Sequence, residues 1–98
     1  MKVPISTIEI NPSGELHVTP SEGRFEFIYR SAMEVHWRPE TGSLFFPPPK
    51  EWSYARCFEQ IVNAVRQEYG VRLEISPRTN WINVPEEARQ AMIGISSP

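Results

Sequence analysis

A chain of 98 residues and 11.3 kDa, 40% apolar and 22% charged, has the size of one domain and is too short for two cores. Ten basic and 12 acidic side chains leave a net charge of −2 with no basic half, which argues against nucleic-acid binding as the main activity. Every acidic residue is Glu, and one Cys with two His excludes an internal disulfide, paired-thiolate zinc, a three-histidine metal site and a Ser-His-Asp constellation, although Glu replaces Asp in some such sites.

In chain order, Ile8-Glu9-Ile10 and Leu16-His17-Val18 alternate on either side of Asn11-Pro12-Ser13-Gly14, whose Pro and Gly suit a tight turn. This predicts an N-terminal hairpin over 5–19. After the breaker Pro20-Ser21-Glu22-Gly23, apolar residues occupy the odd positions Phe25, Phe27, Tyr29, Met33, Val35 and Trp37. Polar residues occupy the even positions Glu26, Arg30, Glu34, His36 and Arg38, and the pattern is broken at Ile28, Ser31 and Ala32. Period two predicts either one long bent strand over 24–38 or two strands with an irregularity near Ser31-Ala32. Pro39-Glu40-Thr41-Gly42 then closes a second hairpin into Ser43–Phe46, which the prolines 47–49 end.

Ser53 is an N-cap residue ahead of Ala55, Phe58, Ile61, Val62, Val65 and Tyr69, the spacing of one helical face. Gly70 suits the left-handed stop of a helix over 54–69. Val71, Leu73 and Ile75 alternate as a strand, Pro77-Arg78-Thr79-Asn80 turns, and Pro85-Glu86-Glu87 opens a short helix over 85–93. The tail Ser96-Ser97-Pro98 is expected to fray. These elements predict a single α+β domain over 1–98, with an antiparallel sheet of about five strands. Its Phe25/Phe27/Val35/Trp37 face is expected on the Phe58/Ile61/Val62/Val65 face of the main helix.

The stretch Glu51-Trp52-Ser53-Tyr54, with Phe58, Gln60-Ile61-Val62, Glu68-Tyr69-Gly70-Val71, Thr79, Trp81 and Val84-Pro85, resembles a small uncharacterised bacterial protein family of integron gene cassettes. Tyr29-Arg30 and Val35-His36-Trp37 extend the likeness to about residues 25–90. The resemblance implies a compact α+β domain, a mobile-element context and a homo-oligomer. It implies no activity, substrate or catalytic residue.

The chemistry-bearing residues each have a plain reading beside a functional one. Cys57, in the first turn of the main helix, is either a thiol activated by the helix dipole and His36 or a small buried hydrophobe. His17 and His36 either share a metal with Glu34 or are surface and interface histidines. Arg30, Glu34, His36 and Arg38 would converge on the even face of the predicted strand, joined by Glu26, as a site for a small anionic ligand or for metal-free proton transfer. The same set also describes a solvated or subunit-facing sheet surface. Trp52 and Trp81 are the aromatics best placed for a flat ligand.

No metal or other cofactor is required by this reading. A chain with short apolar runs and no secretory h-region in its first seven residues is expected to be soluble and cytoplasmic. The expected function is a non-catalytic homo-oligomeric binding or interaction role, with neither nucleic acid nor membrane as partner. The competitors are an anionic-ligand binder or metal-free enzyme using the polar sheet face, and an antitoxin or immunity-like partner of another protein.

Overall fold

The computed structural model describes residues 1–96. Strands β1 (Lys2–Ile10) and β2 (Leu16–Pro20) form the first hairpin, with Gly14 at φ +86° completing the turn that its missing Cβ permits. Strands β3 (His36–Arg38) and β4 (Ser43–Phe46) form the second. Helix α1 (Tyr54–Tyr69), strands β5 (Arg72–Glu74) and β6 (Asn80–Ile82), and helix α2 (Glu86–Ser96) complete the chain. The predicted α+β class holds. The sheet, however, is mixed and six-stranded, in the order β3-β4-β2-β1-β5, with β6 also pairing β1.

Both β5 and β6 run parallel to β1. Lys2, Val3 and Pro4 face Arg72, Leu73 and Glu74, whereas Thr7, Ile8 and Glu9 face Asn80, Trp81 and Ile82. A bulge separates the two halves of β1, because the register to β2 slips between Ile5 and Thr7. Its effect follows from parity. Val3 and Ile5 are buried at odd positions and Ile8 at an even one, and one inserted residue puts all three on the core face.

Helix α1 has the predicted bounds, for the predicted reasons. Ser53 Oγ accepts from the Arg56 N–H at 3.2 Å, and Gly70 at φ +66° donates its N–H to the Arg66 carbonyl. Cys57, Phe58, Ile61, Val62, Ala64 and Val65 form its buried stripe. The core they enter contains Val3, Ile5, Ile8, Leu16, Val18, Leu44, Phe46 and Leu73 from the sheet, with Met92 from α2. Among the described residues no helix is long and apolar enough to cross a membrane.

The 24–38 strand is the principal correction. Residues 25–35 form consecutive turns around a single 3₁₀ turn, Ile28–Arg30, and only 36–38 pair in the sheet. Their backbone hydrogen bonds are local: Ile28 N–H to Phe25 O, Arg30 to Phe27, Ser31 and Ala32 to Ile28, and Val35 to Ala32. The Phe27 N–H donates instead to Tyr69 Oη at 2.8 Å. The buried residues are Phe25, Ile28, Ala32 and Val35, spaced three, four and three apart, while Phe27, Tyr29 and Met33 are 46, 54 and 85% exposed. A turn-like burial period therefore replaces period two, and Phe27 leaves the expected core face. Trp37 does pack against the core, and Phe25 meets it edge-on at 5.7 Å.

The C-terminal helix also differs from expectation, running from Glu86 to Ser96 rather than over 85–93. Asn83, at φ 55°, makes the corner between β6 and α2, a conformation that Asn tolerates. Ser96 is buried and its hydroxyl donates to the Leu73 carbonyl, while the Ile75 N–H donates to Ser96 O at 2.9 Å. The expected fraying thus does not apply to Ser96, and residues 97 and 98 lie outside the described residues.

Candidate functional site

Helix α1 lies on the face of the sheet that carries Leu16, Val18, Leu44 and Phe46, and the alternate residues point to the other face. By register, one row across that second face reads Ile82, Glu9, His17, Phe45 and His36. Ser43 and Arg38 stand opposite one another beside it. Phe45 organises the row. His17 stacks on it at 5.1 Å and 14°, His36 lies tilted against it at 5.1 Å, and the Arg38 guanidinium sits 4.5 Å from its ring centroid.

The polar centre of this face is His17, which is buried. Its Nε2 lies 3.1 Å from Glu15 Oε1 and its Nδ1 lies 3.0 Å from Ser43 Oγ. Asn11 braces the group, since its side-chain amide donates to Glu15 Oε1 at 2.9 Å while its Oδ1 accepts the Glu15 N–H at 2.9 Å. Arg38 adds a cation 3.7 Å from the same carboxylate oxygen. Hydrogen bonds from His17 and Asn11, aided by the Arg38 charge, hold the Glu15 carboxyl below the usual carboxylate range. With Glu15 ionised, His17 Nε2–H donates to it, and a second hydrogen bond joins His17 Nδ1 and Ser43 Oγ. Thr41 Oγ1 continues the chain, 2.7 Å from Ser43 Oγ.

Carboxylate, imidazole and hydroxyl in series make an acid-base relay in form. Ser43 is 1% exposed, and the cavity that it lines with His17, Arg38 and Thr41 measures about 170 Å³, below the range of about 300–1,000 Å³ for ligand sites. The network is a brace that ties the first hairpin to β4. A depressed carboxyl pKa stabilises the fold above its unfolded value near 4.5, and that contribution disappears as pH falls through the lower folded value. Glu15→Gln is therefore expected to lower the urea midpoint near neutral pH, with the deficit against wild type narrowing as pH falls below 4.5. An equal deficit at pH 3 and pH 7 would show that the carboxylate charge contributes nothing.

The four polar residues expected on one strand face are split, because that strand is not formed. Arg30 lies on the 3₁₀ turn, 3.9 Å from Glu68 and stacked 4.5 Å from the Phe27 ring. Glu34 accepts from Gln60 Nε2 at 3.0 Å, on the α1 side. Glu26 pairs with Arg24 at 2.9 Å. His36 and Arg38 alone share the open sheet face, and they meet through Phe45. His17, expected either as a metal ligand with His36 and Glu34 or as a surface histidine, is instead buried in this hydrogen-bonded group, and its Ser43 partner is 26 positions away, beyond any local signal.

The two tryptophans stand apart from this centre and from each other. Trp52 tilts on Phe46 at 5.8 Å under the Arg56 guanidinium, and Trp81 sits on β6 under that of Arg89. Cys57 is fully buried, and burial pushes its thiol up to about 11, the opposite of activation. Among the described residues no cluster of three or more His, Cys or Glu side chains is arranged to hold a metal ion.

The comparisons with known proteins point to one family. The model of the family described as Integron Cassette Protein Hfx_Cass5 matches residues 3–79. A solved structure from the mobile metagenome of the North West Arm Sewage Outfall, itself described as integron cassette protein Hfx_Cass5, is 45% identical to this chain. It covers 97% of this chain and 95% of its own, with a TM-score of 0.49. No curated protein matches the chain.

Proposed function

The chain belongs to the Hfx_Cass5 integron cassette protein family, and from that premise we propose that it is a non-catalytic, homo-oligomeric interaction protein of the bacterial cytoplasm. The observation that carries this reading is the exposure of Phe27, Tyr29 and Met33 within one short segment. Phe27 and Tyr29 pack edge-on at 6.4 Å beside Arg30, and Met33 projects from the following turn. Aromatic residues, Met and Arg are the types enriched in protein interfaces. The paired state of the local charges supports the same reading. Arg30 has Glu68, Glu34 has Gln60 and Arg38 has Glu15, so three of the four polar residues expected to form an anion site are already engaged within the chain.

Size exclusion with light scattering tests this. The wild type is expected to show at least a dimer at micromolar concentration, and Phe27→Ser with Met33→Ser to shift it to a monomer without loss of helical circular dichroism. A mass of 11.3 kDa at every concentration overturns the reading. A complex formed only with a second, different protein overturns self-association in favour of an antitoxin or immunity-like role.

A further inference from the structure

The turn between β5 and β6 separates two adjoining cavities. Ser76 and Pro77 form a wall of both. The cavity on the α2 side has a volume of about 350 Å³ and is walled by Ile75, Pro77, Trp81 and Ile93, with Arg89 at its edge. That volume lies at the small end of the range for ligand sites, about 300–1,000 Å³.

Three features make this cavity more than a surface dent. First, its wall is braced: Thr79 Oγ1 donates to the Ile5 carbonyl at 2.7 Å and accepts the Ser76 N–H at 3.0 Å, so the turn is tied to β1. Second, Arg89 is the cation in the lining and, like Arg56, Arg66 and Arg78, has no carboxylate within ion-pair distance among the described residues, so its charge is not already spent on a partner there. The nearby Glu86 already accepts from Gln90 at 2.9 Å. Third, the Arg89 guanidinium lies 5.2 Å from the Trp81 ring centroid, a contact that keeps it beside the cavity both residues line and leaves its N–H edge to donate. Ser76 Oγ accepts from the Arg78 N–H at 3.2 Å, and its hydroxyl proton has no acceptor among the described residues.

We propose that this cavity binds a small carboxylate with a flat apolar body. The body fits among Ile75, Pro77 and Ile93, because Arg89 already covers the Trp81 ring, and the carboxylate accepts from Arg89 and the Ser76 hydroxyl. Apolar walls supply a favourable but unselective term, and the forked cation supplies the selectivity for an acid. The site is independent of the Phe27/Tyr29/Met33 surface and does not require self-association.

Isothermal titration of the full chain tests the assignment with indole-3-acetate as probe, and with indole and sodium acetate as controls lacking the acid or the ring. Saturable binding with a dissociation constant of about 1 mM or tighter is expected for indole-3-acetate, and at least about tenfold weaker binding for each control. Arg89→Gln is expected to weaken indole-3-acetate about tenfold with an unchanged melting curve, because Arg89 is exposed. Ile93→Trp, which fills the cavity, is expected to abolish binding, so that indole-3-acetate raises the melting temperature of the wild type but not of the variant. No saturation of the wild type, equal binding of indole and indole-3-acetate, or wild-type affinity in Arg89→Gln would each overturn the proposal.

Discussion

Replacing Phe58 with Ala is expected to destabilise the fold by about 3–5 kcal/mol, the range for removing a buried aromatic ring. Phe58 is 0% exposed in the stripe that α1 turns to the sheet, with Ile61, Val62 and Val65 along the same line. Removing its ring loses apolar burial and leaves a void, because the close-packed residues around it, among them Ile61, Val62, Val65 and the sheet residues of the same core, relax only partly into the space. Against about 5–15 kcal/mol for a whole domain, such a loss moves the urea midpoint far enough to measure directly. Glu59→Ala, one position along on the exposed face, is the control and is expected to fall within about 0.5 kcal/mol of wild type. Near-equal midpoints for the two variants would mean that the buried face of α1 is assigned wrongly.

Met92→Ala is expected to lower stability by about 2–5 kcal/mol, in one cooperative transition. Met92 is fully buried in the same cluster as the α1 stripe, so α2 is part of the core and not an appendage. The end of α2 is also held to β5 through Ser96, Leu73 and Ile75. If α2 docked loosely, the variant would leave the main transition unmoved and α2 would melt in a separate, earlier step. Hydrogen exchange at the Ile75 amide checks the same point, because its acceptor is the Ser96 carbonyl and its protection should follow global unfolding.

What the sequence made legible was local. The α1 limits rest on Ser53 and Gly70, and the two hairpin turns rest on Pro12 to Gly14 and Pro39 to Gly42, each within a few residues of the backbone groups it satisfies. The segment 25–35 misled because its large apolar residues alternate, yet Phe27, Tyr29 and Met33 are the ones left outside. Ile28 and Ala32, which interrupt the alternation, are the inward residues, and with Phe25 and Val35 they already have the spacing of turns. The candidate polar cluster inherited that error: four residues placed on one face by strand parity were distributed to Glu68, Gln60 and Phe45 once the strand was gone. The His17 brace lay outside sequence reasoning for a different reason. Glu15 and Asn11 are close along the chain, but Ser43, Phe45 and Arg38 arrive only through the pairing of β2 with β4 and β4 with β3.

The pairing of β1 with β5 and β6 bears on how the chain reaches its fold. β1 and β2 meet across a short turn, so the first hairpin can close early, but the other edge of β1 must wait for residues 72–82 to arrive. Contacts that join positions about seventy apart in a chain of 98 carry a large loop-closure entropy, and folding rate falls as such contacts dominate. During that wait the β1 edge presents unpaired amides and carbonyls that another chain could extend. Refolding yield should therefore fall as protein concentration rises, and a fragment ending before residue 72 should aggregate rather than persist as a stable hairpin and helix.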